Sequence, residues 1–238
     1  MVWLRWIFGI LFGVVASGVY AQSGGGAAGS LSDQNANVSN DAVPASTEQI
    51  LLPEVRVELI KRERLDQKAR KDLMDFLKTT GFAQLPKPIT DTILLARMKE
   101  VSDRLAAIDD DNLKYMKPMI EKHGWLSKTL VGTDGAKAAW LMLQHSDKDR
   151  EFQKQCLEVM KKLPQGEVDP KDIAYLTDRV LVGEGMEQLY GTQLRTNTKG
   201  ELEIAPLFEP GAVDERRKRM GLGPLKDYLE MVKKQFQG

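Results

Sequence analysis

From Pro53 onward, apolar residues recur every three to four positions among charged ones, the spacing that gives a helix one dry face. Leu59, Leu65, Ala69, Leu73 and Phe76–Leu77 predict a first helix closed by Gly81. After a break at Pro86-Lys87-Pro88, the run Ile93, Leu94, Met98, Val101 and Leu105 predicts a second. Asp109 to Asn112 is expected to interrupt it by helix capping, and a third helix then carries Leu113, Met116 and Ile120 to Gly124. Thr133 or Asp134 is expected to cap a fourth helix through about His145. Ser146 or Asp147 is expected to cap a fifth, lined by Phe152, Cys156, Val159, Met160 and Leu163. Asp169-Pro170 opens a sixth, since proline suits the first helical position, and Gly183 and Gly185 end it.

Beyond Gly185 the pattern changes period. Gln193 to Thr196 and Glu201 to Ile204, separated by the polar Asn197 to Gly200, predict a small β-hairpin near 193–204. Helices near Asp214 to Met220 and from Pro224 to about Phe236 complete the chain. Strands do not alternate with helices, which argues against a parallel sheet. The expected fold is therefore mainly α: a bundle of about six to eight helices with one minor hairpin, in a single domain at 50–238.

Upstream of Pro53 the sequence is of another kind. Arg5 followed by the apolar stretch Trp6 to Val19, with Val19-Tyr20-Ala21 at its end, predicts a signal peptide at 1–21. The stretch is short for a membrane span, and an uncleaved N-terminal anchor is the alternative reading. Residues 22–49, rich in Gly, Ser, Ala and Asn, predict a flexible linker. An exported protein, periplasmic or secreted, is the expectation.

Charge then narrows the partners. The chain holds 34 basic and 34 acidic residues, and loss of 1–21 removes only Arg5, leaving 33 against 34. So even a balance gives no reason to expect nucleic acid, or a membrane surface beyond the export signal. The basic cluster Arg216 to Arg219 fits the last turn of a short helix. Cys156 is the one cysteine, so no intrachain disulfide is possible, and its place on an apolar stripe predicts a buried thiol.

Chemistry-bearing residues gather between His123 and Gln193 at expected helix ends: Trp125, Ser127, Gln144-His145-Ser146-Asp147, Tyr175, Asp178-Arg179 and Tyr190-Gly191-Thr192-Gln193. The segments HGWLSKTLVG, AAWLMLQHSDKDREFQKQCL, AYLTDRVLVGEG and QLYGTQ, and the later VDERRKRMGLGPLKDYL, resemble in order and spacing a bacterial family classed as a domain of unknown function. The resemblance covers roughly residues 100 to 230 and departs at Leu126, where the family usually has Pro. It implies membership of that family and no particular chemistry.

The residues themselves suggest two readings. In one, an exported binding or interaction module recognises a small ligand or peptide through Arg179, Tyr190, Gln193, Gln144 and Trp125. In the other, a hydrolase-like enzyme uses His145 as general acid or base with Asp178 orienting the ring. His145 at a helix C-terminus beside Asp147 and Asp149 is expected to favour its protonated form. Each residue also has a structural reading: a helix-end cap for His145, an ion pair for Asp178-Arg179, a tight turn for Gly191, core for Trp125 and Trp140. Familiar devices are missing. Gly132 to Lys137 lacks phosphate-loop spacing, Gly183-Glu184-Gly185 follows a helix rather than a strand, and Asp109 to Leu113 departs from a calcium loop at Leu113. Two histidines and one cysteine give no zinc pattern, so no metal ligand is assigned and the cofactor is unknown, with a carboxylate-only metal site left as an open alternative.

Overall fold

A computed structural model describes residues 50–81, 91–197 and 202–237. The expected signal peptide, linker, Pro86–Pro88 break and most of the Asn197–Gly200 turn lie outside these residues. Among the described residues, seven α-helices and one two-stranded antiparallel sheet make up the fold, the mainly α bundle with a small hairpin that the hydrophobic pattern predicts.

Helix α1 spans Pro53–Thr80, with proline in its first turn, and stops at Gly81 in the left-handed conformation (φ 60°). Helix α2 runs unbroken over Thr92–His123, capped by Asp91, whose side chain accepts from the Leu94 amide. The expected interruption at Asp109 to Asn112 does not occur. Cations on other segments hold these acids sideways: Arg70 on Asp109 at 2.6 Å, Lys148 on Asp110 at 2.7 Å and Arg62 on Asp111 at 2.7 Å. Carboxylates engaged elsewhere no longer compete for the helix's own backbone, so their cap-forming tendency is not expressed.

Helix α3, Lys128–Gln144, kinks at Gly132, whose φ of 73° and ψ of 168° are not helical. The straight part therefore begins near the start predicted from Thr133 and Asp134, and one irregular turn precedes it. Helix α4, Arg150–Met160, is capped by Asp149 rather than by Ser146 or Asp147. Helix α5, Pro170–Gly183, has the predicted Asp169 cap and first-turn proline. Strands β1 (Leu194–Thr196) and β2 (Leu202–Ile204) pair with Leu194 opposite Ile204. Helices α6 (Val213–Arg219) and α7 (Leu225–Gln237) follow.

Burial divides the apolar residues into two groups. The main core gathers Leu59, Met116, Trp140, Leu143, Cys156, Leu176 and Tyr228, with α3 at its centre. A satellite core of Ala69, Leu73, Leu77, Met98 and Leu105 holds the far halves of α1 and α2 together. Trp125 and Trp140 are core residues, and the Trp140 indole donates to the Asp172 carbonyl at 3.1 Å. Between the two cores, in both sequence and contact, lie charged residues.

Candidate functional site

That boundary is a buried polar seam. On α1, the spacing Leu59, Asp66, Leu73 places an aspartate in a slot of the apolar stripe, two turns from a leucine on either side. Asp66 and Arg70 are 1% and 2% exposed. Arg70 Nε donates to both Asp66 oxygens at 3.1 and 3.2 Å, and Nη2 reaches Asp109 Oδ1 at 2.6 Å. His145, just after α3, sets Nδ1 at 3.1 Å from Asp66 Oδ1 and 3.0 Å from Arg70 Nε. The Arg70 N–H has a charged acceptor in Asp66, so the consistent arrangement keeps the imidazole proton on Nδ1, donated to Asp66. Nε2 then carries a lone pair; it is buried without a hydrogen-bond partner.

The electrostatics follow from burial and company. Burial opposes charge on Asp66, but His145 and Arg70 outweigh it and hold its carboxyl well below the usual range. Burial pushes Asp109 up to about 7 against the pull of Arg70, with Asp66 and Asp147 adding to the rise. For His145, burial and Arg70 lower the pKa, and Asp66 opposes them. The protonated form expected from its helix-end position is therefore reversed: the residue is desolvated, and a guanidinium is closer than the helix dipole can offset.

Asp66, Asp109 and His145 each offer a ligand atom within 4.8 Å of the others. Asp66 and Asp109 already accept from Arg70, whose Nε also lies 3.0 Å from His145 Nδ1, so a guanidinium stands in the position a cation would take.

The remaining predicted residues form two adjoining structures. Arg179 grips Asp147 through two bonds, Nε to Oδ1 at 2.9 Å and Nη2 to Oδ2 at 3.1 Å, and reaches Gln193 Oε1 at 3.3 Å. Asp178 does not orient His145. Its carboxylate accepts from the Leu189, Tyr190 and Thr192 amides and from the Thr192 hydroxyl, at 2.8 to 3.2 Å. Carbonyls of the same loop are held from the other side, Leu189 by Arg216, Tyr190 by Arg217 and Thr192 by the Tyr228 hydroxyl. Gly191 turns the loop at φ 68°, where a Cβ would sit 2.8 Å from Leu225. Gln193 is bonded through its amide to Gln188 Oε1 at 2.8 Å, and Tyr190 is half-buried. Gln144 is buried with neither side-chain amide atom partnered, and Trp125 belongs to the core.

So the structure brings His145, Asp147, Arg179 and Gln193 into one neighbourhood and assigns Asp178 and the 188–193 loop to mutual support. The helix-end pattern does not single out Asp66, Arg70 or Asp109 as site residues. Their signal was a charge in an apolar stripe, hidden because both helices are densely charged. A surface groove of about 480 Å³ between α6 and α7, lined by Val213, Asp214, Leu225, Lys226, Leu229, Glu230 and Lys233, contains none of these residues.

A family model described as a family of unknown function (DUF6624) matches residues 74–237. The chain belongs to this family. The match takes in the last quarter of α1, all later elements, and every seam residue except Asp66 and Arg70. No curated protein and no solved structure shows a significant match to the chain.

Proposed function

We propose that this DUF6624 domain is exported and recognises a small polar ligand or peptide end where the seam reaches solvent, at Asp109, Asp147 and the edge of Arg179. The observation that carries this reading is the seam's opening: Asp66, Arg70 and His145 are buried, whereas the side chains of Asp109 and Asp147 are 17% and 41% exposed. Burying charges usually costs more stability than their attraction returns, so a charged seam that grades from buried to exposed argues for a use beyond holding helices together. Binding leads because the loop residues, Asp178 and Arg179 are engaged with one another, and none is an activated nucleophile. The test is thermal unfolding against a panel of amino acids, dipeptides and small anions. A ligand should raise the wild-type Tm and leave that of Asp147→Asn unmoved; equal shifts in both proteins would locate binding elsewhere.

A second reading, acid–base hydrolysis, is favoured by one observation, the Asp66–His145 pair with its unpartnered Nε2. A folded His145→Gln protein should then lose about 10²–10⁴-fold of any esterase or amidase activity. Export rests on the Arg5-to-Ala21 pattern. Among the described residues, no helix is long and apolar enough to cross a membrane. Sequencing the N-terminus of the protein recovered from its native compartment checks it: a chain starting at Gln22 supports export, and an intact Met1 in the cytoplasm refutes it.

A further inference from the structure

Two carboxylates share one edge of one guanidinium. Arg70 Nη2 lies 3.0 Å from Asp66 Oδ1 and 2.6 Å from Asp109 Oδ1. Asp66 holds, in addition, Arg70 Nε and the His145 ring; Asp109 has Arg70 Nη2. The charged groups facing Asp109 are Arg70 and Asp66 from α1, and Asp147 and Lys148 from the segment after α3. Asp147 is already matched by Arg179 and Lys148 by Asp110. Within the seam, then, Arg70 and Arg179 stand against Asp66, Asp109 and Asp147, with one negative charge in excess. Like charges so close and so poorly hydrated cannot all ionise at little cost, and the member with fewer donors is the one that keeps a proton.

We propose that Asp66 and Asp109, bridged by one guanidinium, hold one proton between them, on Asp109, in a contact that latches α2 onto α1 and the end of α3 and loosens when the proton leaves. The latch depends on no ligand and stands apart from the recognition reading above. Its direction is the unusual one for a carboxylate. The folded-state pKa of Asp109 is raised to about 7, above the ordinary value, so the native state binds the extra proton. The stabilisation is fully present below the unfolded pKa and is lost as pH rises through about 7. Neutral His145 contributes with opposite sign, losing stability as pH falls below 6.5. Asp66 keeps its charge throughout this window.

The test is infrared spectroscopy of the full-length protein at about pH 6, where unperturbed aspartates are ionised. A protonated-carboxyl C=O band should be present in the wild type and lost in Asp109→Asn. Burial also raises the pKa of Glu63, with Lys137 and Asp66 facing it, and of Asp178 against its backbone donors, so Glu63→Gln and Asp178→Asn are the controls and should retain the Asp109 band. As a second readout, Asp109→Asn should remove a rise in the unfolding equilibrium constant of up to about tenfold per pH unit between roughly pH 5 and 7. The latch is overturned if the wild type lacks the band. It is equally overturned if a folded Glu63→Gln or Asp178→Asn protein lacks the band, an outcome readable even where Asp109→Asn fails to fold, or if the stability slope survives in Asp109→Asn.

Discussion

At the scale of single residues, Asp178 and His145 show how one polar type can serve opposite ends. Asp178 is fully buried, and burial raises its pKa against the donors around it, yet its oxygens hold three backbone amides that would otherwise be orphaned. Asp178→Ala should destabilise the domain by about 2–5 kcal/mol, because three N–H groups lose their acceptor at once. Chemical denaturation measures it, and a loss under about 1 kcal/mol would mean that water replaces the carboxylate. His145 carries its consequence in pH. With its pKa lowered by burial and Arg70, the native state resists the proton that the unfolded chain accepts at 6.5. His145→Gln should therefore flatten the part of the stability curve that falls on acidification from about 6.5, a contribution opposite in sign to that of Asp109 over an overlapping window. His145, Arg179 and Gln193 stand out in the sequence as candidate site residues because special polar side chains gather near helix ends. The partner of His145 does not, because an Asp four residues before an Arg on a charged helix reads as an ordinary surface ion pair.

Elements were more legible than the contacts between them. Periodicity located the helices because each buries one stripe, and Asp169-Pro170 and Gly81 fixed two ends through backbone geometry that few other residues satisfy. The expected break in α2 is absent because Asp109 to Asn112 do not act locally. Their fates were decided by Arg62, Arg70 and Lys148, which are distant in sequence. The same logic predicts the response of α1 to substitution. Asp66→Ala strands Arg70 and His145 in a dry interior and should cost about 3–5 kcal/mol. Asp66→Leu with Arg70→Met completes the apolar stripe from Leu59 to Leu73, while Asp109 can stay neutral by keeping its proton. The double variant should regain most of the lost stability in urea unfolding and lose any ligand response. A double variant no more stable than Asp66→Ala would mean that the ion pair specifies the packing itself.

Across the whole molecule, the seam divides two bodies of unequal strength. The main core surrounds α3 with large side chains from α1, α2, α4, α5 and α7, whereas among the described residues the satellite core is closed by α1 and α2. Stability in such a molecule is not uniform, since a unit with fewer buried apolar contacts opens at lower free energy than the rest. The joint between the bodies is polar, so separating them exposes charges that water solvates readily, and little hydrophobic burial opposes the opening there. Amides of residues 69–80 and 92–108 should therefore exchange hydrogen through a sub-global opening, while α3 amides beyond the Gly132 kink exchange only on global unfolding. The two classes should also differ in pH response after correction for intrinsic exchange. Protection of the α1–α2 arm should fall as pH rises through about 7, because ionised Asp109 confronts Asp66 and Asp147 across the joint. Equal protection in the arm and in α3 would mean that the seam binds the two cores into one cooperative unit, and that its charges hold the molecule together as firmly as its leucines.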